Sequence, residues 1–279
     1  MELTADTYYS PEADTAYFSA SQIKRFLTCE AAAKDALDHP SEEEKTTALL
    51  VGGFVDAHFS GEMGAFIAAN PQVYTKGGTL KAAYQKAQEV IERIESDELA
   101  MCLLSGEKQK IVVGDIGGHP FKAKLDCLLS GEQADAIASN YPGMSGMAWT
   151  GGAIVDLKVM RDFEPIYRAG EGRLSFVEYW RYDLQMAIYQ ELIRQNTGNT
   201  LPCYILAASK QDPPGLALVQ VEQEELDFCL QFLKDRIDHI AAVKVGDEEP
   251  DRCGECAFCR GQGKLTAPMA FIDGRLTAV

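Results

Sequence analysis

Residues 152–158, Gly-Ala-Ile-Val-Asp-Leu-Lys, limit what this chain can fold into more than any other stretch. A short apolar run delivers an Asp and, two residues on, a Lys, and reads as a strand. Side chains alternate along a strand, so Asp156 and Lys158 point to one face and Leu157 into the core between them. One sheet edge thereby presents a carboxylate and an ammonium side by side. Hard divalent cations take carboxylate oxygens. A neighbouring ammonium can hold a water or an anionic oxygen beside such an ion. Asp-x-Lys also fits a solvent-facing strand end, and only the rest of the chain separates the two readings.

The chain has 279 residues, 46% hydrophobic and 24% charged, enough for one large globular domain or two small ones. No apolar run approaches the ~18 residues of a membrane span. The start, Met-Glu-Leu-Thr-Ala-Asp, has no basic-then-apolar leader, so a cytoplasmic location without membrane partners is expected. The formal net charge of −16 opposes unspecific binding of polyanions, because phosphate contacts come from Lys and Arg. A local basic groove on an acidic body stays compatible with it. Lys122, Lys124, Lys158, Arg161, Arg168, Arg173 and Arg181 are the cations that could line one, or they are scattered solvated charges.

Up to about residue 18 the chain carries few signals. A helix is expected over about 19–30, capped by Ser19 or Ser21, with Ile23, Phe26 and Leu27 on its apolar face and Cys29 near its end. A second is expected over about 43–60, where Gly52-Gly53 weakens it but permits close approach to another backbone. His58 lies near its end and on this ground alone reads as a structural or surface histidine. After a loop at 70–78 comes an amphipathic helix over about 80–104.

The texture then changes to β-type runs at 108–113, 121–129 and 153–159. In the second, Lys122, Lys124 and Asp126 alternate with Phe121, Ala123 and Leu125, so Asp126 ends its strand much as Asp156 ends the next. Residues 130–151 read as a long loop or lid, and 161–175 as a polar connection. A helix over 176–196 puts Gln185 and Tyr189 on one face. Strands at 202–208 and 216–221, a helix at 224–243 and a tail without periodicity complete an α/β domain of three or four core strands flanked by helices.

Of the eight cysteines, Cys102, Cys127, Cys203 and Cys229 sit among apolar neighbours and read as small buried hydrophobes. Cys253, Cys256 and Cys259 place three thiols in one short loop, a chelating arrangement. A soft four-ligand site needs one more sulfur, for which Cys29 is the candidate. Free thiols in the tail are the other reading.

Taken in order, these pieces resemble the PD-(D/E)xK nuclease superfamily in its RecB-type branch. The ordered set is Gly-x-x-x-x-His from Gly53 to His58, a strand with Lys-Leu-Asp at Asp126, a strand Ile-Val-Asp-Leu-Lys with Asp156 and Lys158, and a helix with Gln185 and Tyr189. It spans residues from about 19 to 259. The stretches around 118–128, 154–163 and 179–190 are most similar to phage and prophage RecE-type exonucleases (exodeoxyribonuclease VIII-like). The departure is Lys-Leu-Asp where Pro-Asp is usual. Cys29, in Ser-x-Ile-x-x-Phe-x-x-Cys, resembles the early cysteine of AddB-type and CRISPR-associated RecB-like nucleases, although the closing Cys spacing is tighter here.

The resemblance implies a restriction-endonuclease-like core with a small mixed β-sheet flanked by helices. It implies one nuclease domain over 1–279, with the helix at 19–30 and the tail at 250–263 joined by a metal cluster. The activity implied is Mg²⁺- or Mn²⁺-dependent hydrolysis of DNA from duplex ends, 5′ to 3′, leaving single strands for recombination or repair. Asp126, Asp156, the Leu157 carbonyl and His58 would hold the ion. Lys158 would orient the attacking water, and Gln185 and Tyr189 would contact phosphate or hold the site; ordinary helix packing is the other reading of Tyr189. Glu107 is a further acidic candidate or a surface residue. Cys29, Cys253, Cys256 and Cys259 would hold a 4Fe–4S cluster, with zinc as the alternative. A single-strand annealing protein is the implied partner, and a ring of subunits the implied assembly. A CRISPR or repair nuclease acting on single strands, and a DNA-end-binding module without catalysis, are the competing readings.

Overall fold

The strand carrying Asp156 is central, as suits the short apolar run that leads into it. In the computed structural model, which describes residues 3–40, 46–144, 151–264 and 268–278, the strands are β1 (Glu107–Ile116), β2 (His119–Ser130), β3 (Gly152–Met160), β4 (Ile166–Arg168), β5 (Gly172–Leu174), β6 (Cys203–Ser209), β7 (Leu216–Val221), β8 (Met269–Ile272) and β9 (Arg275–Ala278). Five of them form one mixed sheet in the order β1-β2-β3-β6-β7, one or two strands more than the sequence predicts. Only β3 and β6 run parallel, and the other neighbours are antiparallel. A parallel pair needs a helical crossover, and the stretch between β3 and β6 supplies one. β6 is buried along its whole length, as a strand covered on both faces should be.

The helices are α1 (Pro11–Ala16), α2 (Ala20–Thr28), α3 (Glu30–Asp38), α4 (Thr47–Ser60), α5 (Met63–Ala69), α6 (Ala82–Glu95), α7 (Glu98–Leu103), α8 (Gly131–Asn140), α9 (Phe176–Tyr179), α10 (Tyr182–Thr197), α11 (Gln223–Lys234), α12 (Ile237–Val245) and α13 (Ala257–Gly261). Two compact units result. The first is built from residues 3–20 and 46–238 and contains the five-stranded sheet. On one sheet face Cys127, Leu129, Val155, Leu157, Tyr204 and Leu206 pack with Leu50, Phe54, Val55, Ile91 and Ile94. Each such side chain, fully buried, contributes about 1.5–3 kcal/mol. The opposite face meets α10, where Leu184, Ile188 and Leu192 are buried.

Several expected boundaries move. The helix expected at 80–104 is two, α6 and α7, because Asp97 caps a new start by accepting the Ala100 N–H at 3.0 Å. That at 176–196 breaks before Tyr182, where Arg181 takes a left-handed φ of 52°. That at 224–243 divides into α11 and α12, and α2 and α3 replace the single helix at 19–30. The stretch 130–151 is no open loop: Ser130 and Gln133 form a capping box that starts α8. Residues 145–150 of that expectation, and 43–45 of the second helix, lie outside the described residues. Residues 161–175 form the β4–β5 hairpin, and the tail expected to lack periodicity forms α13 and the β8–β9 hairpin. Gly53 does not admit another backbone: a Cβ there would stand 3.0 Å from the Phe66 ring.

The second unit is built from residues 21–40, 239–264 and 268–278. Asp251 N–H donates to Glu30 Oε2 at 2.9 Å, and Ala31 N–H to the Asp251 carbonyl at 3.1 Å. Cys29, Ala31 and Cys259 form its small buried cluster. Among the described residues no helix is long and apolar enough to cross a membrane.

Candidate active site

The β2–β3 ladder pairs Ser130 with Gly152 and ends at Cys127 with Val155. Gly152 begins it because the strands approach so closely that a Cβ would lie 2.1 Å from the Leu129 carbonyl oxygen. The next opposed positions in that register are Asp126 and Asp156, where the two strands part. Both aspartates are therefore interior to their strands, not at strand ends as the sequence suggests. The Leu157 N–H donates to Asp126 Oδ2 at 2.9 Å. A side chain thus takes over where the backbone ladder stops.

Asp156 is 1% exposed. Its Oδ1 accepts from Gln185 Nε2 at 2.8 Å, and that same Nε2 lies 3.2 Å from the Tyr189 hydroxyl oxygen. The i, i+4 spacing on α10 thus brings both predicted residues to β3. Lys158 Nζ lies against Asp156 Oδ2, is 3.9 Å from Asp126 Oδ2, and sits 5.2 Å from the centre of the Tyr182 ring.

One buried and one partly buried carboxylate, Asp156 and Asp126, face one ammonium and shape the electrostatics. Burial, then the Asp156 charge, pushes the Asp126 pKa well above the usual carboxylate range, against the pull of Lys158. Burial alone would lower the Lys158 pKa, but the charges of Asp156 and Asp126 outweigh it and hold the amine protonated. Tyr189 is raised by burial and then by both aspartates, so it stays a phenol. Asp156 Oδ2 lies against the Lys158 ammonium and, among the described residues, meets no second donor in acceptable geometry. A buried carboxylate oxygen in that condition, beside a second carboxylate, is what a divalent cation would satisfy.

The sequence does not single out Asp56, the one carboxylate in the apolar fourteen-residue helix α4. Its pKa is raised by burial first, while Lys124 and Lys158 pull it down and Asp156 and Glu62 push it up. It therefore belongs to the same electrostatic cluster, and Gln109 Nε2 donates to its Oδ1 at 3.0 Å. A lone acid inside an apolar helix is the signal that could have found it. The three aspartates are wider than a closed triad: among the described residues, the groups with every donor atom within 4.8 Å are the four cysteines and Asp183–Glu225–Cys229. Mg²⁺ is commonly held by one or two carboxylates plus waters and phosphate oxygens, so Asp126 and Asp156 suffice and Asp56 stands one step out.

His58, two residues beyond Asp56, pairs with Glu95, its Nε2 2.8 Å from Glu95 Oε1. Glu107 pairs on the surface with Lys110 at 2.8 Å. Of the cations expected to meet DNA, Lys122 is 1% exposed and bound to Asp14 Oδ1 at 2.6 Å, so it is a structural residue. Arg168 pairs with Glu171 at 3.1 Å and lies over the Tyr179 ring. Arg161 pairs with Asp162 at 2.7 Å, and Arg181 lies over the Phe232 ring.

In the second unit Cys29, Cys253, Cys256 and Cys259 come together as predicted, their four sulfurs within 4.8 Å of one another. Cys29 Sγ is 3.5 Å from Cys259 Sγ. The Cys256 N–H points at Cys253 Sγ from 3.3 Å, and this with the Glu255 N–H pulls the exposed Cys253 thiol down to about 6.

A family profile described as "PDDEXK-like domain of unknown function (DUF3799)" matches residues 19–135 and 147–262. The crystal structure of a protein described as "Putative exonuclease", from Eubacterium rectale, is similar at 38% identity and a TM-score of 0.84, with 98% of each chain covered. A search of curated proteins gave no match. Both likenesses agree with the mixed sheet flanked by helices and point to a nuclease.

Proposed function

The chain belongs to the PDDEXK-like family of domains of unknown function, DUF3799, and from that premise we propose that it is a metal-dependent deoxyribonuclease. The observation that carries this reading is the meeting of Asp126, Asp156 and Lys158 where β2 and β3 part, with Asp156 Oδ2 met by the Lys158 ammonium and by no second donor among the described residues. Bound Mg²⁺ or Mn²⁺ would supply an activated water, relief of phosphate charge and a stabilised leaving oxygen. Asp126, Asp156 and the Leu157 carbonyl would hold the ion, with Asp56 reached directly or through water.

The chain's own residues do the rest. Gln185 fixes one Asp156 oxygen and leaves the other for the cation. Lys158, kept charged between two carboxylates, binds the attacking water or a non-bridging phosphate oxygen. Tyr189 accepts from the Gln185 carboxamide and sets it, and stays a phenol because burial and the two aspartates raise its pKa. The RecE-like wording of β2, β3 and α10 supports exonucleolytic action from duplex ends, 5′ to 3′, supplying single strands for recombination. The description of the Eubacterium rectale protein supports the exonuclease class.

The four cysteines form a soft metal site within the second unit. Thiolates around one Zn²⁺, at about 2.3 Å, stand about 3.8 Å apart in a tetrahedron. The observed 3.5 Å and 3.9 Å contacts suit that spacing as they stand. A 4Fe–4S cube, with each thiolate on a separate iron, asks for a wider set.

The test of the nuclease reading is shortening of end-labelled linear duplex with Mn²⁺ or Mg²⁺ by the wild type, Asp126→Asn and Lys158→Ala. Loss of about 10³-fold or more in each variant, at unchanged folding, is expected. Retained cleavage in both variants would sink the assignment.

A further inference from the structure

Lys122, Lys124 and Asp126 share one face of β2, and the N-terminal segment lies along that row. Lys122 Nζ donates to the Tyr8 carbonyl at 2.5 Å and to Asp14 at 2.6 Å. Two residues on, Lys124 Nζ lies 5.1 Å from the centre of the Tyr9 ring. Two residues further is Asp126. Beyond the point where β3 leaves β2, Phe18 pairs with the vacated edge, its N–H donating to the Pro120 carbonyl at 2.8 Å. The segment is thus pinned on both sides of α1, and Tyr9 is the side chain it sets beside Lys124, two residues along β2 from Asp126.

Tyr9 is 70% exposed. Lys124 covers one side of its ring, and Tyr8 meets it at 4.9 Å with the planes at 84°. Burial gives no reason for a large ring to be open here. The nearby lysine that could have gripped phosphate, Lys122, is spent on holding the segment in place. In a chain of net charge −16, with Lys122 spent and Lys124 the cation beside the ring, contact with the bases themselves adds an attraction that needs no further cation. Base–aromatic stacking needs no charge and tolerates any sequence.

We propose that Tyr9 is the stacking platform for a nucleobase of the DNA strand whose phosphate enters the Asp126–Asp156 site. The proposal rests on the nuclease reading and adds to it how the strand is gripped. Tyr9 is a positioning residue: it fixes the nucleotide, and the carboxylates and Lys158 act on the phosphate. Lys124, alongside the ring, is placed to meet the phosphate of the stacked nucleotide.

The experiment compares the wild type, Tyr9→Ala and Tyr9→Phe on end-labelled duplex with Mn²⁺. In parallel, binding of the same duplex with 2-aminopurine at its end is followed by fluorescence in Ca²⁺. Tyr9→Ala should raise KM about tenfold, as loss of one stacked base does, with kcat within about twofold. Tyr9→Phe should match the wild type. Quenching of 2-aminopurine should appear with wild type and Tyr9→Phe and be lost with Tyr9→Ala, while all three melt alike. Wild-type kinetics in Tyr9→Ala would overturn the proposal while leaving the nuclease reading intact. So would a Tyr9→Phe as poor as Tyr9→Ala, which would mean a hydroxyl contact. A joint fall of kcat and Tm would mean a role in folding and would overturn it too. A wild type that cleaves no DNA end removes the nuclease reading and this proposal with it, before any variant is compared.

Discussion

Gln109 donates from its carboxamide to Asp56 Oδ1 at 3.0 Å, and does so from a left-handed backbone with φ 52°. Its neighbours Lys108 and Lys110 pair with Cys127 and Leu125, so Gln109 stands opposite Asp126 at the one skipped step of the β1–β2 ladder. A non-glycine residue held there costs about 1–3 kcal/mol and persists only where the surroundings impose it. The strain sits beside the carboxylate cluster and aims a donor at one of its members. Gln109→Gly should relieve the backbone and delete the donor. Its Tm should hold or rise while the Mn²⁺ concentration for half-maximal cleavage rises several-fold. A lower Tm at unchanged Mn²⁺ dependence would assign Gln109 to folding alone.

Asp126 and Asp56 both carry pKa values raised above the ordinary carboxylate, chiefly by burial. The folded, metal-free protein therefore holds their protons more tightly than the unfolded chain. The stability this contributes is present in acid and is lost as pH rises from about 4, the unfolded value, through the raised folded values. A divalent cation neutralises the same charges, so its stabilising effect should grow with pH over that window. Thermal melts across pH, with and without Mn²⁺, check this, and an increment independent of pH would contradict it. Asp126→Asn should flatten the metal-free curve, raise the Tm at neutral pH and abolish cleavage together.

The central chemistry was legible because it is carried by alternation in β3 and by an i, i+4 pair in α10, both local rules. Asp156, Lys158, Gln185 and Tyr189 meet as that periodicity predicts. Asp56 was not legible by motif, because the His58 two residues later drew the assignment. In space, Asp56 shares the field of the aspartates and His58 pairs with Glu95. Element boundaries slipped where short polar devices act: the Asp97 cap, the Ser130 capping box and the left-handed Arg181. The role of Lys122 was misjudged for another reason. Nothing in alternating Lys-Ala-Lys says that a distant N-terminal segment will cover one lysine of the pair.

Lys122 offers a direct contrast between the structural and the DNA-binding reading. Its ammonium satisfies the Tyr8 carbonyl and Asp14, and it is fully enclosed. Replacing it by Met keeps the length of the side chain and leaves that carbonyl without its donor, at about 1–3 kcal/mol. The Asp14 side chain is partly exposed, so its lost charge partner adds little. Lys122→Met should lower the Tm by several degrees and open the first eighteen residues to proteolysis. The salt dependence of DNA binding should keep its slope, since no phosphate contact is removed. A shallower slope at unchanged Tm would restore Lys122 to the DNA surface.

On the proposed reading of the four thiols as a soft metal site, the second unit's stability depends on an ion. Cys29 and Cys259 are buried within 3.5 Å, and the depressed Cys253 thiol is ready to bind as thiolate at neutral pH. Removing one ligand of a soft four-ligand site should release the ion and with it the folding free energy it supplies. Cys29→Ser should therefore lose the metal and melt at lower temperature. Its Mn²⁺-dependent cleavage at low temperature should survive, because Asp126, Asp156 and Lys158 belong to the other unit. Anaerobic purification with metal analysis and a visible spectrum identifies the ion. A broad band near about 400 nm with stoichiometric iron means an iron–sulfur cluster, and a colourless protein with one zinc means a tetrahedral thiolate site. Full metal content in Cys29→Ser would remove Cys29 from the ligand set and leave the three tail cysteines to hold the ion by themselves.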